Sequence, residues 1–496
     1  MVGQALIPVE SRLDIVSEEP VSSRFRPLVI GSVLIPGATG FGLSFWQIDR
    51  VSIWRDEAAT ISAAHRPLGR LLTMLGHIDT VHGAYYLLMH VMITLFGASE
   101  TVVRLPSAAG TGLAAGGLAV LGTRLAGRRA GVMAGLLYAV TPMAVRYGQE
   151  GRSYSLVASL AVVSMIAFVR LAETGGRRRI AGYALTVAAL GILQFISLFL
   201  VLAHGAIIPA LRRQRRRLLI GWLTAGAVSC LALIPLLAVA VPAQSGQNRW
   251  ITPPDWSAVQ GFLDEFAGSP LLVWVYGALA VAALLTARSP GPVPAVPVAL
   301  AWLAVPTATM IAVSFLFPIF NPRYVLFCLP ALALLAALGL ERLPWRSGLV
   351  ALPGLMAMSL QAQIPFRTAP AFEDMRAEAA ILRTQARAGD AVVYLTTFNR
   401  LVPAAYPKPF RRLWDIAYDD SPRMRAAQAA DLYGLTVDDT ELGRRLTRVG
   451  RVWSIRPSYA PGSRFYGVGR APREFCDVRD WSVPGMALTL YERCPH

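Results

Sequence analysis

Long apolar stretches alternate with short polar segments along the first 362 residues of the chain. A transmembrane helix needs about 20 mainly apolar residues. By that measure the sequence predicts eleven transmembrane helices, near residues 28–46, 102–123, 128–147, 152–172, 180–195, 197–211, 217–241, 270–287, 294–317, 322–340 and 346–362. We therefore expect an all-α polytopic membrane domain over residues 28–362, preceded by a short N-terminal segment, residues 1–27.

One further apolar segment, residues 83–97, has only about 15 residues and is better suited to a helix lying along the membrane surface. When it is left out of the count, the arginine clusters all fall on one side of the membrane. These clusters are Arg24 and Arg26, then Arg124, Arg128 and Arg129, then Arg170 and Arg177 to Arg179, then residues 211–217, Arg288, and finally Arg342 and Arg346. The positive-inside rule makes that side the cytoplasm. The N-terminus is then cytoplasmic, and residues 47–101 form a long first extracytoplasmic loop with juxtamembrane helices.

The sequence after residue 362 has the composition of a soluble domain. Helical spacing over residues 373–389 is followed by a strand-like run at 391–395. We expect residues 363–496 to form a small extracytoplasmic α/β domain. In an oxidising exterior, Cys476 and Cys494 of this domain could form a disulfide.

Composition and charge narrow the function classes. The chain is 54% hydrophobic and 16% charged, whereas an ordinary soluble domain carries about 25% charged residues. The net charge of +17 comes from basic clusters between apolar runs, which is typical of membrane proteins and argues against nucleic acid as a partner. A transporter or lipid flippase would share these features but should carry ionisable residues near mid-membrane. Here they crowd at the ends of the spans. A surface-polysaccharide polymerase or ligase and a non-catalytic scaffold for the soluble domain are further alternatives.

The segment SIWRDEAATISAAHRP, residues 52–67, places Asp56 and Glu57 just past the first span. Adjacent residues of a helix point about 100° apart, so one carboxylate can face a cavity while the other braces the loop. A carboxylate that faces a cavity can act as a general base and take the proton of a hydroxyl group, and Asp56 is the candidate. The alternative is that both acids cap a helix or pair with Arg55 and Arg66 at the surface.

Several motifs in order resemble a known family. They are the Asp56-Glu57 pair, HIDTVHGAYYLLMH at 77–90 with FGASETVVRLPSAAG at 96–110, YGQEGRSYSL at 147–156, and FNPRYVLFCLPALALL at 320–335. Together they are similar to the GT-C superfamily of membrane glycosyltransferases, in the branch of the protein mannosyltransferases and aminoarabinose transferases (glycosyltransferase family 39-like). One departure is that Gly83 and Ala84 stand where that branch usually has two prolines.

This resemblance implies a GT-C-like fold and a membrane glycosyltransferase that uses a polyprenyl-phosphate sugar. The sugar is predicted to be mannose, with arabinose as the alternative, and the transfer inverts the anomeric carbon on the outer face of the cytoplasmic membrane. The acceptor is a hydroxyl of a glycolipid, polysaccharide or protein. Asp56 would be the general base, with Glu57 as the second catalytic residue.

The leaving group of such a donor is an anionic phosphate, which needs fixed cationic partners, and arginine suits this through its planar fork of N–H groups. The candidates for phosphate binding are Arg323, Arg152, Arg66 and Tyr324. Arg152 could instead pair with Glu150, and Arg323 could be an interfacial anchor.

A second set of candidates lies in the same motifs and could contact the sugar or the acceptor: Asp79, His82, Tyr85, Glu150 and Tyr154. Interfacial tyrosines are common without such a role. No tight ligand spacing for a metal is present. A divalent metal held by Asp79, His82 and Glu150 is nevertheless an open possibility, because some relatives bind one near this place.

Overall fold

The computed structural model describes residues 25–211, 215–243, 251–285, 292–368, 372–459 and 474–494. Most of the N-terminal segment 1–27, with Arg24, therefore lies outside the described residues. The same holds for Arg288 and for residues 212–214 of the basic run at 211–217.

The chain up to residue 368 is helical. Its helices are α1 Phe25–Phe45, α2 Arg55–Ala64, α3 Leu68–Leu75, α4 Gly83–Phe96, α5 Glu100–Ala126, α6 Arg128–Val140, α7 Pro142–Gly148, α8 Tyr154–Thr174, α9 Arg177–Leu193, α10 Phe199–Ile207, α11 Arg215–Ala243, α12 Trp256–Ala267, α13 Pro270–Leu285, α14 Ala295–Ser314, α15 Leu329–Leu340, α16 Trp345–Ala362 and α17 Ile364–Thr368. A 3₁₀ segment, Pro322–Cys328, precedes α15. Each of the eleven predicted spans overlaps one or more of these helices.

Six of the described helices are long and apolar enough to cross a membrane, and α12 with α13, bent by 79° at their junction, would add a seventh. The chain is a multi-pass membrane protein. Shorter apolar helices occupy other predicted spans, among them Ile30–Phe45 and Phe195–Ala210. The total of eleven stays a prediction, as does the cytoplasmic side of the N-terminus.

Helices α1 and α5 approach closely because small residues line their contact. A Cβ atom added at Gly112 of α5 would lie 2.9 Å from the carbonyl oxygen of Gly37 in α1, so only glycine fits at this point. This contact fixes the end of α1 beside the first turns of α5. The loop that follows α1 is thereby placed over α5.

The predicted first outer loop contains three short helices, α2, α3 and α4. The segment predicted to be a surface helix is α4, of 14 residues, which buries Tyr85, Tyr86 and Met89 and exposes Val91 and Leu95. Its length is below that of a spanning helix. Its orientation along the membrane surface remains a prediction.

The C-terminal part is an α/β domain, as predicted. Its elements are α18 Met375–Gln385, β1 Ala391–Tyr394, α19 Val402–Ala405, α20 Pro407–Phe410, β2 Trp414–Asp415, α21 Arg425–Ala430, α22 Asp439–Leu446, β3 Arg451–Pro457, β4 Phe475–Val483 and β5 Met486–Arg493. The five strands form one sheet in the order β2-β1-β3-β5-β4. Strand β1 is parallel to β2 and β3, whereas β5 is antiparallel to β3 and β4.

One hydrophobic core joins the outer helices to the C-terminal domain. It contains Ile61 of α2 and Tyr86 of α4 together with Trp453 of β3 and Leu488 of β5. A second core of this domain lies on β1, β3 and α22. Because the first core is shared, the C-terminal domain rests directly on the helix that carries Asp56.

Candidate active site

Asp56 lies in the first turn of α2, in the loop that follows the end of α1 at Phe45. Its Oδ2 atom accepts a hydrogen bond of 2.7 Å from Nη1 of Arg323, in the 3₁₀ segment before α15. The Asp56 side chain is 22% exposed and that of Arg323 16%. Asp56 is therefore the more accessible of the two neighbouring acids, and it faces a cation from a late helix.

Glu57 is fully buried and points to the other side of α2. Both its oxygens accept from Arg104 of α5, with Nε to Oε1 at 2.7 Å and Nη2 to Oε2 at 2.6 Å. Oε1 also accepts from the backbone N–H of Gly151 at 2.7 Å. These charge-assisted bonds join α2, α5 and the loop before α8. Of the two acids, Glu57 is thus the one that holds α2 to α5 and to the loop before α8.

Arg104 also forms hydrogen bonds with the backbone of the loop between α1 and α2. Its Nη1 donates to the carbonyls of Ile48 and Val51, and its Nη2 donates to that of Ser52. A single buried guanidinium thereby binds three backbone carbonyls of the loop, and its fork geometry suits this task. The approach of α2 to the membrane helices is set by this residue.

Arg152 and His82 form a second polar contact next to Asp56. Arg152 Nη2 donates to Nε2 of His82 at 2.9 Å, and Nη1 lies 3.4 Å from Oγ1 of Thr60. Burial lowers the pKa of His82 well below 6.5, and the charges of Arg152 and Arg323 lower it further. His82 is therefore neutral at pH 7, and its Nε2 accepts the hydrogen bond from Arg152. Among the described residues Arg152 does not form an ion pair with Glu150, which was the alternative prediction.

Glu150 is buried in the loop between α7 and α8. Burial, with a smaller effect from the nearby carboxylates of Glu57 and Asp56, raises the pKa of Glu150 from 4.5 to about 8. Within the described part of the chain, Glu150 Oε1 and the buried hydroxyl of Tyr154 have no hydrogen-bond partner, and neither does Nε of Arg323. Buried polar atoms are nearly always paired in folded proteins, so these atoms are candidates for contact with a ligand.

Aromatic rings surround the guanidinium of Arg323. Its Cζ atom lies 6.0 Å from the ring centroid of Trp54 and 5.7 Å from that of Tyr324. Cation–π contacts of this kind hold a guanidinium in place without using its N–H groups. Arg323 therefore has donors left for an anion while one of them binds Asp56.

The C-terminal domain contributes two residues to this region. Glu373 accepts from the backbone N–H of Arg55 at 3.0 Å and from Arg55 Nη2 at 2.5 Å. Tyr433 lies close enough to Asp79 and Asp56 that their charges, after burial as the larger cause, raise its pKa. The domain thus contacts Arg55, the residue before Asp56, and places Tyr433 near Asp56 and Asp79.

Other predicted residues have different surroundings. Arg66 donates to the carbonyls of Ala429, Asp431 and Leu432, so it joins the outer loop to the C-terminal domain and is not brought to Asp56. Tyr85 is buried in α4, and burial raises its pKa. Asp79 has a left-handed backbone, with φ of 58°, and accepts a 2.8 Å bond from the hydroxyl of Tyr86.

The residues present do not fit a divalent metal. His82 Nε2 is engaged by Arg152, and an oxygen of Asp79 by Tyr86, so neither faces Glu150 as a free ligand. In the described ranges, no group of three or more His, Cys, Asp or Glu side chains could hold a metal ion. In the C-terminal domain, Cys476 and Cys494 form a disulfide with Cα atoms 5.2 Å apart.

Three residues of the site were not predicted from the sequence: Arg104, Glu373 and Tyr433. Arg104 could have been found, because a lone arginine inside an apolar span is rare and usually functional or paired. Glu373 and Tyr433 lie in a segment without a motif. They are more than 300 residues from α2, and only the packing of the two parts brings them together.

Comparisons with known proteins agree with this architecture. Residues 84–239 match the family model for dolichyl-phosphate-mannose-protein mannosyltransferase. No curated protein matches the chain. The structure is similar to that of ArnT from Cupriavidus metallidurans bound to undecaprenyl phosphate, with a TM-score of 0.62 and 12% identity over 95% of this chain and 98% of that one.

Two further solved structures share the architecture. The apo state of the same ArnT has a TM-score of 0.61 at 14% identity, covering 93% of this chain and 98% of that one. The oligosaccharyltransferase AglB from Archaeoglobus fulgidus, in complex with an inhibitory peptide and a dolichol-phosphate, has a TM-score of 0.54 at 12% identity, covering 87% and 70%. The resemblance predicted from the motifs is confirmed, and the chain has the fold of the GT-C superfamily of membrane glycosyltransferases.

Proposed function

We propose that this chain is a membrane glycosyltransferase that moves a sugar from a polyprenyl-phosphate donor to an acceptor hydroxyl, on the outer face of the cytoplasmic membrane. The observation that carries the proposal is the Asp56–Arg323 pair, a partly exposed carboxylate 2.7 Å from a guanidinium that retains free donors. A base and a phosphate-binding cation side by side are what transfer from a glycosyl phosphate requires.

In the proposed reaction, Asp56 accepts the proton of the acceptor hydroxyl as the acceptor oxygen forms a bond to the anomeric carbon. The bond between that carbon and the phosphate oxygen breaks, and its electron pair leaves on the phosphate. The products are a glycoside of inverted configuration, a polyprenyl phosphate and a protonated Asp56, which returns its proton to water. No further reactant is needed.

Arg323 is proposed to bind the phosphate of the donor. Its Nε atom is buried and unpartnered, and Trp54 and Tyr324 fix the guanidinium. The donor phosphate is a diester with one negative charge, and the remaining N–H groups of Arg323 would bind it while Nη1 stays hydrogen-bonded to Asp56. Arg152 is the second candidate cation, because it lies beside Asp56 and is held by His82.

Glu57 is proposed to position Asp56 rather than to react. Its oxygens are occupied by Arg104 and Gly151, and it has no exposed surface. Glu150 and Tyr154 are proposed to bind hydroxyl groups of the donor sugar through their unpartnered atoms. Tyr85, His82 and Asp79 would line the rest of the binding site for the donor sugar.

A lipid-linked donor is supported by the position of the site. Nucleotide sugars are not normally supplied outside the cytoplasm, whereas an isoprenoid phosphate keeps its phosphate at headgroup depth and its tail in hydrocarbon. Asp56 lies in α2, in the loop that follows α1, and Arg323 lies near the start of the apolar segment Pro322–Leu340, so a phosphate at headgroup depth would fit between them. ArnT, which shares the fold, has been solved with undecaprenyl phosphate and AglB with a dolichol-phosphate.

Mannose is the proposed sugar, because the matching family model is that of a mannosyltransferase, and arabinose is the alternative. A transporter or flippase is the rival function. It would move the lipid without releasing lipid phosphate, so the two functions differ in a product that can be measured.

The test uses the purified full-length protein with a panel of polyprenyl-phosphate sugars, and measures release of the lipid phosphate. We expect release with one donor, and a fall of at least about 100-fold in kcat for Asp56→Asn, since that variant cannot accept a proton. Asp264→Asn, in α12, is the matched control and should keep wild-type activity. Wild-type turnover by a folded Asp56→Asn variant would remove Asp56 from the role of base.

A further inference from the structure

The C-terminal domain places aromatic side chains next to the residue that precedes Asp56. Phe398, in the 3₁₀ turn Thr397–Leu401, and Tyr433 pack edge to face with ring centroids 4.8 Å apart. The guanidinium of Arg55 lies 5.3 Å from the centroid of the Phe398 ring. The turn that carries Phe398 packs against α2. We call Phe398, Tyr433 and the Arg55 guanidinium that lies over Phe398 the aromatic wall. It lies beside the first turn of α2, the helix that carries Asp56.

The aromatic wall is held in place and partly open. Glu373 fixes Arg55 through the guanidinium and the backbone N–H. Tyr433 packs against the core that contains Tyr86 and Ile61, and Phe398 is 40% exposed. The charges of Asp79 and Asp56 reach the Tyr433 hydroxyl and, with burial as the larger cause, raise its pKa. Its hydroxyl is therefore protonated at pH 7 and can donate a hydrogen bond.

We propose that the aromatic wall is the acceptor subsite and that the acceptor is a saccharide, whose ring stacks on Phe398 while Tyr433 and Arg55 bind its hydroxyl groups. This inference rests on the proposed function. It assigns to the C-terminal domain the choice of acceptor, while the membrane helices hold the donor phosphate through Arg323.

The chemistry of the wall favours a saccharide over a peptide. The face of an aromatic ring is negative and attracts the polarised C–H groups on the flat side of a pyranose. A guanidinium and a phenol supply donors to the hydroxyl groups at the rim of the sugar. Extended peptides are commonly bound by main-chain hydrogen bonds to a strand edge, but the elements here are helix α2 and a 3₁₀ turn.

Binding is tested without turnover by saturation-transfer NMR on the full-length Asp56→Asn variant with octyl α-D-mannopyranoside as the probe. We expect transfer to the ring protons of the mannose. The signal should fall strongly in Phe398→Ala but not in Trp414→Ala. Trp414 is the matched control, because it is also 40% exposed and contacts a guanidinium, that of Arg445, elsewhere on the same domain. Saturation confined to the octyl chain, or equal loss in both variants, would overturn the proposal.

The second test measures turnover, and for it the substitutions are made in the protein that retains Asp56. The donor is polyprenyl-phosphate mannose or arabinose, and the acceptors are octyl α-D-mannopyranoside and a serine-containing hexapeptide. We expect transfer to the mannoside, with its KM raised about tenfold by Phe398→Ala, as for the loss of one good contact, and with the donor KM unchanged. Tyr433→Phe keeps the ring and removes only the hydroxyl, so it tests the wall even where Phe398→Ala fails to fold.

The outcomes separate the two proposals. Transfer to the peptide and not to the mannoside would overturn the saccharide assignment and leave the glycosyltransferase function standing. Absence of lipid phosphate release with every donor, together with mannoside binding at Phe398, would overturn the proposed function and leave a saccharide site. An unchanged acceptor KM in both Phe398→Ala and Tyr433→Phe would remove the aromatic wall from acceptor binding.

Discussion

The neighbouring carboxylates Asp56 and Glu57 differ in everything that surrounds them. Glu57 is buried and its hydrogen bonds are satisfied by Arg104 and Gly151, whereas Asp56 is partly exposed and has one ion-pair partner, Arg323. The 100° angle between adjacent helix residues predicts that they face apart. Helix geometry alone does not tell which of them faces the site, because the pairing of Glu57 with Arg104, 47 residues further along the chain, depends on how α5 packs.

The Glu57–Arg104 pair should be critical for stability, because removing one partner leaves a charge buried without compensation. For Arg104→Met we expect a loss of about 3–5 kcal/mol in the free energy of unfolding. The control is Arg124→Met, whose pair with Glu173 is more exposed, with an expected loss of about 0–1 kcal/mol. Thermal unfolding in detergent measures both, and a loss that is equal in the two variants would contradict the assigned bracing role.

Glu150 should make stability depend on pH. Its pKa is raised by burial from 4.5 to about 8, so the folded protein keeps this proton between these values while the unfolded chain loses it. Unfolding then releases a proton, and stability falls as the pH rises from about 5 to about 8.

The variant Glu150→Gln lacks this loss. Its Tm should rise relative to that of the wild type over the same pH range, and the difference should become constant above about pH 8. Glu265→Gln, at a partly exposed acid, is the control and should show no such trend. A constant Tm difference between Glu150→Gln and wild type from about pH 5 to about pH 8 would mean that Glu150 is already ionised in the fold.

At the scale of elements, the helix that carries both acids lacks a cap of its own. Trp54 occupies the N-cap position of α2, and its side chain accepts no hydrogen bond from the helix. Ser, Thr, Asp or Asn usually fill this position. Glu373 supplies the missing acceptor from 318 residues away, and its negative charge lies at the positive end of the helix. The C-terminal domain thereby fixes the first turn of α2.

Glu373→Gln should therefore weaken catalysis by misplacing Asp56. We expect kcat to fall about 10- to 100-fold with little change in the KM of the lipid donor, since small displacements of a catalytic group have effects of that size. Glu441→Gln, which alters another ion pair of the same domain, should leave kcat unchanged. A raised donor KM with normal kcat would place Glu373 in donor binding instead of positioning.

The sequence predicts the positions of the helices, but it does not predict the order of the strands in the sheet. The apolar runs predicted a helix at every proposed span, and the spacing over residues 373–389 predicted α18, because these signals are local. The order of the sheet was not predictable. Strand β1 pairs with β3, about 60 residues later, and such long-range pairings leave no local pattern. The contact of Glu373 with α2, and the position of Tyr433 near Asp56 and Asp79, could not be predicted for the same reason.

At the scale of the whole molecule, the catalytic proposal requires that α2 and the C-terminal domain face the exterior. They share one core, so they must lie on the same side of the membrane. The disulfide between Cys476 and Cys494 supports an oxidising compartment for that side, because disulfides seldom persist in the cytoplasm. The arginine clusters favour the same orientation.

Helix α5 offers a direct test of this orientation, because it separates the outer loop from the basic turn at Gly127. Its 27 residues correspond to about 40 Å, more than the thickness of the hydrocarbon core, so its two ends should lie on opposite sides. We expect a membrane-impermeant maleimide to label His77→Cys from outside intact cells. Arg128→Cys should react only in inverted vesicles. Both residues are exposed, and the exposed Cys230 is first replaced by serine.

The reverse labelling pattern would place Asp56 in the cytoplasm, where nucleotide sugars are available and the reason for a lipid-phosphate donor disappears. Labelling of both variants from one side would mean that α5 does not span, despite its length. Either result would contradict the proposed reaction while leaving the fold unchanged. Labelling of His77→Cys alone from outside would place the aromatic wall, Glu373 and Asp56 together on the side where a flipped lipid donor and a surface saccharide can meet.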